Sequence, residues 1–387
     1  MIARRAVATL AAAACSLCGL PPRAPAAPPP EVLHLPLQTT VGGVLTTGVF
    51  IDGEPFRLIA DTGSPYLVVP LDECASQPPR LSSYGCAEPG QFRASAYPTT
   101  TEQYGSGVLL GPGRMQWLSG DVSFGEPELQ RAGDGRLSVA VRFRQAGRVG
   151  GELVFGGADR NVMYQSGGAL LGLIREVNRD PGLSNYPVAD LRPTALAQLK
   201  MTSFRLDAPG RMLTLSGAPL IGPTADALPL VDAREWGDGV DHACCRVDSD
   251  ELVVDGGRPR RSTRPILCVF DSGLTGVVLS QSLVDELGLG AQVGPRPSSG
   301  GSSGGGGGDG VRSLQLALRT ERGRKVTLRA SAASSPLFYT QAIPLNWFRD
   351  RTNGPHVIAL GQCALGMGVL TVDARQRRAL WEQTASV

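Results

Sequence analysis

The sequence predicts an all-β protein built as two similar lobes, and three observations carry that prediction. From residue 32 onward, short alternating or apolar runs are punctuated by Gly, Pro and Asp, as strands and tight turns require. Patterns with helical period are few. The segment "LIADTGSPYLVVP" (58–70) returns in outline as "CVFDSGLTGVVLS" (268–280), which makes the chain an internal repeat.

With 387 residues, the chain is long enough for two lobes, each with its own core. Its 42% hydrophobic and 19% charged residues are ordinary for a globular protein and too apolar for disorder. A net charge of +2 gives no basis for nucleic acid as a main partner. Residues 1–26 read as a signal peptide: "MIARR" is cationic, "AVATLAAAACSLCGL" is a 15-residue apolar run, and "APA" is a small-residue cleavage site. The expected location is therefore secreted, or the endomembrane or vacuolar lumen, with a plastid transit peptide as the alternative. No later run has the length and apolarity of a membrane span. The N-terminal lobe is assigned to 32–205 and the C-terminal lobe to 206–387.

Along the first lobe, "VLTTGVFIDGEPFRLIA" reads as a hairpin turning at Asp52-Gly53, and "GELVFGG" and "RMLTLSG" read as strands. Two helices are expected. One is "VADLRPTALAQLK" (188–200); the other is "SQSLVDELGL" (280–289), with Ser280 or Ser282 as a cap and Gly at its end. The tract "SSGGSSGGGGGDG" (298–310) is a flexible loop by composition, and the GxSxG match at its start lacks the strand–turn–helix context of a nucleophile.

Six cysteines remain after the leader, an even number that favours disulfides in a secretory compartment. Cys74 and Cys86 flank a Pro/Ser-rich loop and would close a short one. Cys244, Cys245, Cys268 and Cys363 leave two pairings open, since adjacent cysteines rarely bridge each other. No metal or cofactor is expected: there is no CxxC pair, and His34, His242 and His356 lie far apart in sequence.

The repeat carries the chemistry. Each copy is an apolar strand, then Asp-Thr-Gly or Asp-Ser-Gly, then a second apolar strand; these tripeptides lie 210 residues apart. Each is followed later by an apolar run containing Gly, "GALLGLIRE" (168–176) and "VIALGQCAL" (357–365). A pseudo-twofold between the halves would bring Asp61 and Asp271 face to face. Two carboxylates in contact share a proton and titrate as a pair. One can then act as a base on water while the other, protonated, polarises a carbonyl.

With these motifs, the chain resembles the pepsin-like aspartic proteases over essentially its whole length after the leader. "DTGS" and "DSG" resemble the family's two catalytic motifs, and "EQYGSGVLL" (102–110) resembles its flap hairpin. The resemblance implies a bilobal pepsin-like fold with an interlobe cleft, and catalysis by Asp61 and Asp271. It makes Thr62 and Ser272 the hydroxyls that bond the opposite lobe's backbone. Gly63 and Gly273 become the motif glycines, and Ser64 a donor to Asp61. Tyr104, Gly105 and Ser106 become the flap over a bound peptide, and Cys74–Cys86 a small disulfide loop.

Two departures concern the site directly. Leu274 stands where the family usually has Ser or Thr, so Asp271 lacks a side-chain donor, and Thr275 would point to the other side of a strand. Val68 stands where many members have a Trp that anchors the flap tyrosine, which leaves two alternatives: a looser flap, or Trp117 as the substitute. "LGQ" at 360–362 stands where "LGD" is common. The function expected is an aspartic endopeptidase cutting extended peptides at apolar side chains. It would act as a monomer and, from the sequence pI of about 8.1, in mildly rather than strongly acidic conditions. The alternative is a catalytically impaired pepsin-like protein that serves as a binding or inhibitor module.

Overall fold

The computed structural model describes residues 32–40, 43–71, 84–102, 113–128, 142–177, 192–235, 240–248, 250–290, 311–335, 338–343 and 354–384. The expected leader, the glycine tract, Cys74 and the segment holding Tyr104, Gly105 and Ser106 lie outside these residues.

The described residues are mostly strand with a few short helices, arranged in three sheets. A nine-stranded sheet uses only strands between Gln38 and Gly172, and an eight-stranded sheet only strands between Cys244 and Ile343 or His356–Leu360. Each half thus pairs with itself. The third sheet, six-stranded, runs in the order 32–36, 212–216, 203–207, 368–373, 378–383, 228–229 and draws on both halves. Residue 205, the expected lobe boundary, falls inside the strand Ser203–Asp207 of this shared sheet.

Local sequence explains the elements that matter for the site. Asp52 and Gly53 both take positive φ, 50° and 91°. This two-residue turn suits the right-handed twist of the strands it joins, Leu45–Ile51 and Glu54–Asp61. Leu67–Pro70 and Ile266–Phe270 are buried at every position because neighbours flank them on both sides, so their sequences are continuous apolar runs.

The expected helix at 280–289 forms as Gln281–Leu287, with Ser280 at its N-cap position and Gly288 closing it at φ 65°. Ser280 makes no side-chain cap; its hydroxyl instead accepts the Val357 N–H at 3.1 Å. His356, fully buried, pins this helix to the strand His356–Leu360: one ring nitrogen meets Ser282 Oγ at 2.9 Å and the other Glu286 Oε2 at 2.7 Å. The other expected helix is shorter than its pattern. Among the described residues only Ala195–Gln198 is helical, capped by Thr194 after Pro193, which offers no N–H to an earlier turn.

An ion pair also joins the halves: Arg234 lies 3.6 Å from Glu176. Within the C-terminal half, Arg377 reaches Asp232 at 3.0 Å and Asp241 at 3.1 Å.

Candidate active site

Asp61 ends the strand Glu54–Asp61, and the chain then turns through Thr62-Gly63-Ser64 before Leu67–Pro70 returns. The short strand Leu170–Gly172 inserts between these two, parallel to the first, with Gly172 opposite Asp61. The second half repeats the plan. His356–Leu360 lies parallel to Ile266–Phe270 and antiparallel to Val277–Ser280, with Leu360 opposite Phe270. Gly172 and Gly361 occupy the same place in the two plans. A Cβ on Gly172 would stand 2.5 Å from Tyr66 N and 2.6 Å from Ser64 O; on Gly361 it would stand 2.5 Å from the Leu274 and Gly276 carbonyl oxygens. Backbone cannot yield at that distance, which is why both apolar runs carry Gly.

Four hydrogen bonds lock the two motifs together. Thr62 Oγ1 donates to the Phe270 carbonyl at 2.7 Å and accepts the Ser272 N–H at 2.8 Å. Reciprocally, Ser272 Oγ donates to the Ala60 carbonyl at 2.5 Å and accepts the Thr62 N–H at 3.0 Å. Both hydroxyl residues are buried. Each motif glycine lies against the opposite carboxylate: a Cβ on Gly63 would meet Asp271 Oδ1 at 2.5 Å, and one on Gly273 would meet Asp61 Oδ1 at 2.5 Å.

Asp61 and Asp271 are 6% and 5% exposed, and their carboxyl groups hydrogen-bond each other. Burial pushes the Asp61 carboxyl above the ordinary carboxylate value. The Gly63 N–H (2.8 Å), Ser64, Asp271 and the charge of His242 act against that rise. Asp271 is pushed well above the ordinary value, first by burial, then by the charge of Asp61 and the hydrogen bond to it. The backbone N–H groups of Gly273 and Leu274 act against that rise. Two carboxyls in contact titrate as a pair, and both are raised, Asp271 the more strongly.

Ser64 Oγ is buried without a hydrogen bond of good geometry, yet stands close enough to Asp61 to favour its charge. Thr275 turns its hydroxyl to Tyr339 Oη at 3.2 Å. Val68 packs inside the sheet, opposite Leu170. Trp117 lies edge-on to Tyr66 with ring centroids 5.0 Å apart, and its indole N–H donates to Thr100 Oγ1 at 2.9 Å. It thus braces Thr100–Glu102, the strand just before Tyr104.

Two residues join the site from outside the motifs. Gln362 donates its side-chain amide to the Ser272 carbonyl at 2.8 Å, giving the glutamine of "LGQ" a defined place. His242, buried, lines a small cavity with Thr62, Asp241 and Arg377. The sequence marks Gln362 only as a departure within "LGQ", and it does not mark His242 as part of the site, because their partners Ser272, Thr62 and Arg377 are distant in the chain.

The cysteines need a correction. Cys244, Cys245, Cys268 and Cys363 are free buried thiols rather than half-cystines. Cys245 and Cys268 stand directly opposite each other on antiparallel strands. The Phe270 N–H to Ala243 carbonyl bond sets the alternation that makes this a hydrogen-bonded pair. Cβ atoms at such a pair stand about 5.5 Å apart, beyond the roughly 3.5–4.5 Å a disulfide needs. Cys244 points to the opposite face of the strand. Cys86 is not among the free thiols, and Cys74, its expected partner, lies outside the described residues.

The chain matches no protein-family model, and no curated protein matches it in sequence.

Proposed function

We propose that the chain is an aspartic endopeptidase of pepsin-like architecture, in which Asp61 and Asp271 activate a water against a peptide carbonyl. The observation that carries this reading is the reciprocal set of four hydroxyl–backbone bonds holding two buried carboxyls in contact. A carboxylate and a carboxylic acid at one point give a base and an acid without metal or covalent intermediate. Asp61, ionised, takes a proton from water as its oxygen bonds the carbonyl carbon; Asp271 gives its proton to the carbonyl oxygen. Collapse of the tetrahedral diol then returns a proton to the departing amide nitrogen and regenerates the carboxyls. Tyr104, Gly105 and Ser106 would close over the peptide, held in the cleft between the halves largely by main-chain hydrogen bonds.

The test is incubation of the purified chain with denatured protein across pH 3–7, with and without a statine-type transition-state mimic. Cleavage that the mimic blocks and Asp61→Asn abolishes supports the reading. A folded protein that cuts at no pH, or an Asp61→Asn variant that cuts normally, refutes it.

A further inference from the structure

We propose that Arg192 is a specificity-determining residue that receives an acidic side chain of the bound peptide, at a subsite within the wall of the N-terminal half. Arg192 is 2% exposed, and its guanidinium lies 5.1 Å from the ring centroids of both Tyr97 and Trp117. Nη2 donates to the Pro98 carbonyl at 3.0 Å, whereas Nε and Nη1 are buried with no hydrogen-bond partner. The two ring faces stabilise the cation and fix its plane, but they do not satisfy the remaining N–H groups. A buried guanidinium left in that state is unfavourable until an anion completes it. A planar fork held by stacking is also prepared in advance for a carboxylate, so little freedom is lost on binding.

Position points to the peptide as the source of that carboxylate. Three residues after Arg192, the Ala195 N–H donates to the Pro65 carbonyl at 2.9 Å, inside the loop that follows Asp61. Trp117, which touches the guanidinium, packs on Tyr66 of the same loop. Arg192 is therefore one aromatic ring removed from the first motif. Tyr97 is only half-buried and Pro98, whose carbonyl takes the Nη2 bond, is exposed, so the guanidinium lies directly beneath the surface. The inference rests on the protease reading for its substrate and replaces a purely apolar preference with an apolar one plus one acidic position.

Two fluorescent peptides differing only by Glu or Gln at one position, scanned along the sequence, would be titrated into full-length Asp61→Asn protein at about pH 6. Fluorescence anisotropy reads binding without cleavage. At one position the Glu peptide should bind about tenfold tighter or more, the worth of a charge-assisted hydrogen bond. That gap should close when Arg192→Met is added, since methionine keeps the apolar stem between the rings and loses the charge. The melting temperature of Arg192→Met should stay near that of the parent, because the free fold gains little from an unpaired cation; a large fall would assign Arg192 a structural role. Should Arg192→Met not fold, Arg192→Lys keeps the charge without the fork, and it should narrow the gap.

Equal binding of both peptides at every position, or a gap that survives Arg192→Met, overturns the proposal. Stabilisation by free acetate without any Glu–Gln gap overturns it in favour of a small-anion site. A gap in binding combined with no hydrolysis of either peptide by the unmutated chain would sink the protease reading and leave Arg192 as a carboxylate receptor.

Discussion

Thr62→Val is the sharpest perturbation of the site, because it changes almost no volume and removes one hydroxyl. That hydroxyl serves two buried backbone groups of the other half, the Phe270 carbonyl at 2.7 Å and the Ser272 N–H at 2.8 Å. Each buried group left without a partner costs about 1–3 kcal/mol, so the variant should lose about 2–6 kcal/mol. Set against a net stability of about 5–15 kcal/mol, that is a large share. Ser272→Ala should cost as much, since it strands the Thr62 N–H and the Ala60 carbonyl. The double variant should lose less than the sum, because once one set of bonds is gone the motifs separate and water reaches the other. Equilibrium urea unfolding followed by tryptophan fluorescence gives all three values. A loss below about 1 kcal/mol for Thr62→Val would show that the two bonds of the Thr62 hydroxyl are not buried in solution, and the contact between the carboxyls would lose its support.

Three other outcomes follow from the same geometry. Asp271 is raised by burial and by Asp61, so its contribution to stability is complete below the unfolded carboxylate pKa and is lost as pH rises through the folded value. Asp271→Asn, always neutral, should melt above the unmutated chain at pH 7 and converge with it below about pH 4; a gap that widens in acid would contradict the assignment. Burial alone would raise Glu286, but the Thr263 N–H, His356 and the Ser262 and Thr263 hydroxyls outweigh it and hold its pKa at about 2. Its stabilisation is present above the unfolded value and is lost as pH falls toward 2, so the advantage over Glu286→Gln should shrink across that window in an acid titration. Burial pushes Cys244 and Cys363 up to about 12 and Cys245 and Cys268 upward as well, so a thiol reagent at neutral pH should label none of the four in the fold. All four should react in guanidine without reductant; fewer would mean a bridge.

What was legible in the sequence was local. The Asp52-Gly53 turn was visible because its positive φ values demand such residues. The helix ending at Gly288 and the two strands that lead into Asp61 and Asp271 were visible because period and burial coincide within each segment. Non-local pairing was not legible. Arg142–Ala158 is a 17-residue strand of which only "GELVFGG" reads as one; its glycines and arginines conform because the partner Gly113–Glu128 holds them. The shared sheet pairs residue 32 with 216 and 203 with 373, contacts that no window of sequence contains. The cysteines show the same limit in finer grain. Spacing suggested bridges, whereas the alternation of hydrogen-bonded and open pairs along one ladder keeps Cys245 and Cys268 apart as thiols.

Duplication alone would give two equivalent aspartates, and an equivalent pair does not say which carries the proton. The backbone of the two halves is nearly interchangeable: the same three-strand insertion, the same glycine behind each motif, the same crossed hydroxyls. The side chains are not. Ser64 and the charge of His242 favour the ionised form of Asp61, whereas at the matching place Leu274 offers Asp271 only a backbone N–H and turns its side chain onto an apolar cluster with Val269 and Val278. A symmetric frame thus fixes where the two carboxyls meet, and the departures from symmetry at Ser64, Leu274 and His242 make the two unlike, with Asp271 the more strongly raised. On the proposed mechanism, Leu274 is less a defect in the second motif than the residue that would leave Asp271 to be the acid.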